Sequence, residues 1–160
     1  MSDFVNTVDS VGDEALTNSI IDRSITEIRD NYANRIGNNA FESCSALTTA
    51  DFPAVTSIGN YAFQSCSKLT TADFQTATSI GNDAFYSCSA LTTLILRSGT
   101  MATLGNTNAF SNTPIKSGNG YIYVPAALVD SYKAASNWST YANKFRAIED
   151  YPEICGGETA

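Results

Sequence analysis

The sequence predicts an α+β repeat solenoid, a short right-handed coil carrying a ladder of parallel strands, with a cap helix before the coils and a helical cap after them. Three observations lead there. Residues 36–57 (IGNNAFESCSALTTADFPAVTS), 58–79 (IGNYAFQSCSKLTTADFQTATS) and 80 onward (IGNDAFYSCSALTTLILRSGT) are nearly one 22-residue string, and a unit that short cannot bury its own apolar face, so it stacks on its neighbours. Inside each unit the apolar residues run Leu-x-x-Φ-x-Φ, where Φ is apolar: Leu47, Ala50, Phe52; Leu69, Ala72, Phe74; Leu91, Leu94, Leu96. On both sides of the repeats the spacing of apolar residues becomes helical.

The first segment, 1–23, has no full repeat. Asp13–Arg23 places Leu16, Ile20 and Ile21 on one face, with Asp9 or Ser10 available as N-cap and Asp13 and Glu14 in the first turn, where the helix dipole favours acids. This predicts a cap helix. Phe4, Val5 and Val8 precede it, and apolar residues in so short a tail predict docking on something else, a particle or a sister subunit.

The repeats occupy 24–125. Counting 22 back from Leu47 and Ala50 lands on Ile25 and Ile28, which makes SITEIR the strand of an earlier coil. Asp30 stands where the later units have Phe52 and Phe74, as expected of an end coil partly open to water. Each Leu-x-x-Φ-x-Φ run reads as a strand with alternate residues inward. Each Ile-Gly-Asn at 36, 58 and 80 reads as a corner whose glycine and asparagine tolerate positive φ, with Asn38, Asn60 and Asn82 bonding turn backbone. The following Ala-Phe-x-Ser-Cys reads as one helical or 3₁₀ turn whose Phe fills the core. Leu104–Phe110 repeats the corner with an insertion, and Tyr121–Pro125 supplies a fifth strand.

Residues 126–149 place Leu128, Val129, Tyr132 and Ala135 on one helical face and continue with Trp138, Tyr141 and Phe145, a pattern that predicts an aromatic helical cap. Residues 150–160 (DYPEICGGETA) are polar and glycine-rich, which predicts a flexible tail with a reactive Cys155.

Composition narrows the function. The chain has 160 residues, 43% of them hydrophobic, enough for one continuous core. A net charge of −7 with only nine scattered Lys and Arg argues against nucleic acid. The absence of histidine removes Ser-His-Asp and Cys-His catalysis and imidazole zinc ligands. No apolar run is long enough to insert in a membrane, and the start MSDFVN lacks the basic end and apolar core of a secretory signal, which predicts assembly in a cytoplasm. No enzyme, cofactor or metal is expected. Cys44, Cys66 and Cys88 fall in register about 4.8 Å apart; buried ladder thiols are favoured over a disulfide, because stacked side chains point the same way, and over a metal site, because no CxxC or histidine completes a shell.

The outward positions of the strands form two rows, Glu27, Thr49, Thr71, Thr93, Tyr121 and Arg29, Asp51, Asp73, Ile95, Tyr123. Hydroxyls, carboxylates and tyrosine rings in register suit sugars, so Thr49, Asp51, Thr71, Asp73, Thr93, Tyr121 and Tyr123 are the candidate ligand-binding residues; a soluble face dressed in β-favouring threonine is the competing reading. A Ca²⁺ between Asp51 and Asp73 is a remote alternative lacking further oxygen ligands.

The string Ile-Gly-x-x-Ala-Phe-x-x-Cys-x-x-Leu-Thr-x-Φ-x-Φ-Pro resembles the leucine-rich repeats of the bacterial surface antigen A family, the BspA-like or Treponema-type class. The ending from Ile122-Tyr-Val-Pro through Trp138 and Tyr141 to Ile148 resembles the unit that closes such arrays, so the resemblance covers 24–149. It implies a horseshoe-like solenoid used for adhesion or host-surface recognition. The opening from Phe4 to Glu27 also resembles the start of small repeat proteins of bacteriophages and prophages. Together the resemblances imply a non-catalytic protein of a phage virion, on tail or capsid surface. Its expected partners are a host-surface glycan or protein through the repeat face and virion proteins, or a second copy, through Phe4, Val5 and Val8. The alternatives are a bacterial cell-surface adhesin and an intracellular interaction scaffold.

Overall fold

The computed structural model describes the backbone of residues 3–5 together with residues 24–31 and 33–156. Val8 and the cap helix expected over Asp13–Arg23 lie outside the described residues.

Two parallel ladders run the length of the coils. The longer has seven strands among the described residues, in the order β1 (Asp3–Val5), β2 (Glu27–Arg29), β4 (Thr49–Phe52), β6 (Thr71–Phe74), β8 (Thr93–Leu96), β10 (Tyr121–Val124) and β11 (Phe145–Ala147). The shorter joins β3 (Arg35–Ile36), β5 (Ser57–Ile58), β7 (Ser79–Ile80) and β9 (Thr103–Leu104). Five strands were expected in the main ladder. β1 and β11 extend it because Phe4 pairs with Ile28 at one end and Ile122 with Phe145 at the other, each outside the 22-residue register. The corner isoleucines Ile36, Ile58 and Ile80 form the second ladder, where isolated turns were expected.

Alternation decides what is buried. In Thr49-Ala50-Asp51-Phe52 and its counterpart Thr71–Phe74, alanine and phenylalanine are inside, threonine and aspartate half-buried outside. Leu47, Leu69 and Leu91 are fully enclosed, as are Phe41, Phe63, Phe85 and Phe110. Those four rings stack face to face with centroids 5.1, 5.2 and 5.5 Å apart and planes within 7° of parallel. A second file, Phe52 on Phe74 at 5.9 Å, meets the first at tilted or edge contacts. Each buried phenylalanine contributes about 1.5–3 kcal/mol of transfer free energy, so the two files are the main cohesive element between coils.

The Ala-Phe-x-Ser-Cys segment is not helical. Asn39, Tyr61 and Asp83 adopt φ of 62°, 60° and 52°, and Ser43, Ser65 and Ser87 adopt 62°, 62° and 61°. Two left-handed residues per turn break any continuous helix: alternate amides close three-residue turns, as Cys44 N–H does on the Phe41 carbonyl, while those between reach the next coil, Phe41 N–H donating to the Ala62 carbonyl and Phe63 N–H to the Ala84 carbonyl. The corner glycines serve close approach: a Cβ on Gly81 would stand 2.7 Å from the Asn60 nitrogen and from the Gly59 carbonyl carbon. The asparagines bond as expected, Asn38 Oδ1 accepting from Asn60 N–H at 2.7 Å and Asn60 Oδ1 from Asn82 N–H at 2.8 Å.

Asp30 is fully buried, not open to water. Its carboxylate accepts the Ala33 N–H at 2.9 Å, taking up the space that phenylalanine fills in later coils. Cys44, Cys66 and Cys88 are buried as expected; Cys66 and Cys88 donate to the Phe41 and Phe63 carbonyls at 3.0 and 2.9 Å.

After the fourth turn, Thr113 caps a single helical turn, α1 (Pro114–Ser117), accepting from Ile115 and Lys116 N–H, with proline in the first turn. The cap proper joins a 3₁₀ turn to α2 (Val129–Ala134), follows with 3₁₀ turns over Trp138–Lys144, and ends in β11, so the expected helical cap contributes a strand as well. Trp138 and Tyr141 close the phenylalanine file, 6.0 and 5.3 Å from Phe110. Their polar ends satisfy the last corner: Trp138 Nε1 donates to the Ala102 carbonyl at 2.8 Å, and the Tyr132 hydroxyl accepts the Ala102 N–H at 2.7 Å. Aromatics with polar tips can thus cover an apolar end without stranding backbone groups.

The expected flexible tail is, through Gly156, a packed turn. α3 (Pro152–Cys155) places Cys155 at 2% exposure against Ile95, Tyr123 and Ile148. Ile148, Tyr151 and Cys155 carry enough apolar surface to cover the outer side of β8 and β10, which overrides the polar composition.

Candidate recognition face

The outer side of the long sheet carries the candidate residues in register. Glu27, Thr49, Thr71, Thr93 and Tyr121 align across five strands, as do Arg29, Asp51, Asp73, Ile95 and Tyr123. Thr49, Thr71 and Thr93 face out, half-buried. The preceding threonines are committed to the stack, Thr48 Oγ1 donating to the Thr26 carbonyl at 2.9 Å and Thr70 Oγ1 to the Thr48 carbonyl at 3.1 Å. Position therefore separates cohesive threonines from presented ones.

The second row is charged at one end and covered at the other. Arg29 Nε lies 3.4 Å from Asp51 Oδ2, and the Arg97 guanidinium takes both Asp73 oxygens at 2.9 Å. Burial and the neighbouring Asp73 carboxylate raise the Asp51 pKa, against the pull of Arg29 and Arg97. Two arginines thus bracket two carboxylates that would otherwise repel. Among the described residues no group of three Cys, Asp or Glu could hold a metal ion.

Tyr123 leaves the candidate set. It is 4% exposed, with its ring 5.4 Å from Tyr151 under the C-terminal turn. Alternation correctly put it on the outer side, but the returning chain covers that side. Tyr121 remains half-exposed, and its ring is approached by the chain's own cations, Arg146 at 4.3 Å and Lys144 at 5.2 Å. Arg97, Lys144 and Arg146 complete the face and were not among the sequence candidates. Two of them arrive on or beside β11, which has no repeat signature, and Arg97 occupies a position that is proline and glutamine in the earlier units. Thr49, Asp51, Thr71, Asp73, Thr93 and Tyr121 are brought together. Phe4 and Val5 lie in edge strand β1. Among the described residues no helix is long and apolar enough to cross a membrane.

The family described as BspA type leucine rich repeat region matches residues 9–122 in six copies. A solved leucine-rich repeat protein from Bacteroides ovatus ATCC 8483 superposes with a TM-score of 0.58 at 23% identity, over 78% of this chain and 30% of that one. The chain therefore spans less than a third of the length of that protein, and the likeness concerns the fold. No curated protein sequence matches.

Proposed function

Because the chain belongs to the BspA type leucine-rich repeat family, we propose that it is a non-catalytic recognition protein that binds a protein or glycan of a host surface through the outer side of its long sheet. The observation that carries this reading is the threonine row: Thr49, Thr71 and Thr93 stand in register on consecutive strands, facing out and half-buried, beside carboxylates already held by arginine. A rigid row of hydroxyls with a charged border is suited to reading a repetitive polar partner. The chemistry available favours binding over catalysis, since the chain lacks histidine and the repeat thiols are enclosed.

The resemblance of the opening residues extends the proposal to a place. The chain would be assembled in a bacterial cytoplasm and carried on a phage virion, attached to structural proteins or to a second copy through the segment holding Phe4, Val5 and Val8. Mass spectrometry of purified particles tests this placement independently of binding. The binding claim is tested with Thr49→Arg and Thr71→Arg, which put bulk on an outward-facing, half-buried row without entering the core. Host envelope binding should fall at least tenfold with melting unchanged; unaltered binding would refute the sheet as the contact face.

A further inference from the structure

Three coils of almost identical sequence allow the chain to be compared with itself. Across residues 36–49, 58–71 and 80–93 only three positions differ: Asn39/Tyr61/Asp83, Glu42/Gln64/Tyr86 and Ala46/Lys68/Ala90. The shared positions have structural duties, from the ladder isoleucines and corner glycines to the enclosed Ala, Phe, Cys and Leu. The differing side chains all belong to the turn segments between the two ladders, away from the threonine row.

Tyr61 is the residue that packing does not explain. Its φ of 60° lies in the left-handed region, where Asn39 and Asp83 sit readily but a bulky aromatic is an outlier. Its side chain is 38% exposed, among the most exposed of the large apolar side chains described. Strain held at a side chain left open to this extent marks a position kept for its outward use. The turn ladder sets Tyr86 one coil further on, with Tyr61 N–H bonded to the Asn82 carbonyl and Ser65 N–H to the Tyr86 carbonyl. Around the tyrosines are amide–carboxylate pairs, Asn39 Nδ2 to Glu42 Oε1 at 2.7 Å and Asn106 Nδ2 to Asp83 Oδ1 at 2.7 Å, and the Gln64 amide. Across the turn segments 39–46, 61–68 and 83–90 the charged residues are the acids Glu42 and Asp83 and one exposed cation, Lys68.

We propose that this turn face, centred on Tyr61 and Tyr86, is a second recognition surface and that its ligand is an uncharged carbohydrate. Tyrosine rings offer a surface to the C–H face of a sugar, and amides paired with carboxylates offer mixed donors and acceptors to vicinal hydroxyls. With two acids against the single cation Lys68 and no arginine fork, these turns disfavour phosphate, sulfate or carboxylate ligands. The coil spacing, 5.1–5.2 Å between stacked phenylalanines, sets successive turn positions at intervals comparable to one pyranose ring.

The test uses the full chain and an immobilised panel of neutral oligosaccharides of glucose, galactose, mannose and N-acetylglucosamine. Tyr61→Asn and Tyr86→Gln each restore the residue of a sister coil. At least one oligosaccharide should bind the parent chain and bind each variant at least tenfold more weakly, while the melting temperature of Tyr61→Asn stays level or rises. Thr71→Arg should bind the same sugar as the parent chain does, which separates this surface from the sheet. The proposal is overturned if no panel member binds, if both tyrosine variants bind undiminished, or if a lysine-rich peptide is captured in a Tyr61-dependent manner and the sugars are not.

Discussion

Arg97 grips Asp73 with two parallel hydrogen bonds, Nε and Nη2 each 2.9 Å from a separate carboxylate oxygen, and the same Nη2 donates to the Cys155 carbonyl. One side chain therefore joins the third coil to the C-terminal turn that covers Ile95 and Tyr123. Both partners are largely shielded, with side-chain exposures of 15% and 23%, and a two-pronged, charge-assisted contact of this kind is among the stronger polar interactions a surface can make.

Removing that grip should loosen the turn before it loosens the coils. Arg97→Ala is expected to cost about 1.5–3 kcal/mol and to open Cys155 to thiol reagents in the native state, with Arg97→Lys intermediate because an ammonium lacks the fork. Chemical denaturation and timed alkylation read the two effects. Unchanged Cys155 labelling in Arg97→Ala would show that Ile148, Tyr151 and Cys155 hold the turn by packing alone.

In the parent chain all four thiols should react slowly under native conditions. Cys44, Cys66, Cys88 and Cys155 are buried, and burial pushes the Cys155 thiol up to about 11 and the Cys88 thiol well above its ordinary value. Peptide mapping after brief alkylation checks this; rapid native labelling of Cys88 would contradict an enclosed turn ladder.

Cys155 and Cys88 give the fold an alkaline limit. Burial raises both above the ordinary 9.0 on folding, so the native state holds protons that the unfolded chain releases. The contribution of Cys155 is complete below about pH 9 and declines as pH rises through its folded value of about 11. Tyr132 and Tyr141, raised by burial, act in the same direction. Urea midpoints should be flat from pH 7 to 9 and fall above it, less steeply in Cys155→Ala. Constant midpoints to pH 11 would refute the burial of these groups.

Much of this was legible in the sequence because the core repeats itself. Leu47, Phe41 and Phe52 recur every 22 residues, and a side chain that returns to the same height on each coil is stacked by necessity. Less legible was what depends on single occurrences. Ile148, Tyr151 and Cys155 are spaced irregularly among acids and glycines, so nothing in the pattern says that they turn back onto β8 and β10. Tyr123 was assigned to the correct side of its strand, but period 2 cannot tell an open side from one that a later segment covers. The left-handed turns were hidden for another reason: Asn39 and Asp83 advertise positive φ, whereas Tyr61 and the serines do not, and the inter-coil bonds made by Phe41 and Phe63 hold them there.

Phe63 sits mid-file, enclosed between Phe41 and Phe85. Phe63→Ala should destabilise the chain by about 3–5 kcal/mol, since rings on both sides are fixed by their own coils and cannot collapse into the void. A loss below about 1 kcal/mol would be inconsistent with a close-packed file.

One continuous stack, closed by Trp138 and Tyr141, runs through the described coils and should hold them as a single rigid unit. Native-state hydrogen exchange measures this most directly. The amides of Phe63 and Phe85, bonded to the Ala84 and Ala109 carbonyls, should exchange only through global unfolding, with the same opening free energy and denaturant slope as Ile122 in the last repeat strand. Exchange of Phe63 through a separate, smaller opening, with Ile122 still protected, would show that the coils open independently and would contradict the account.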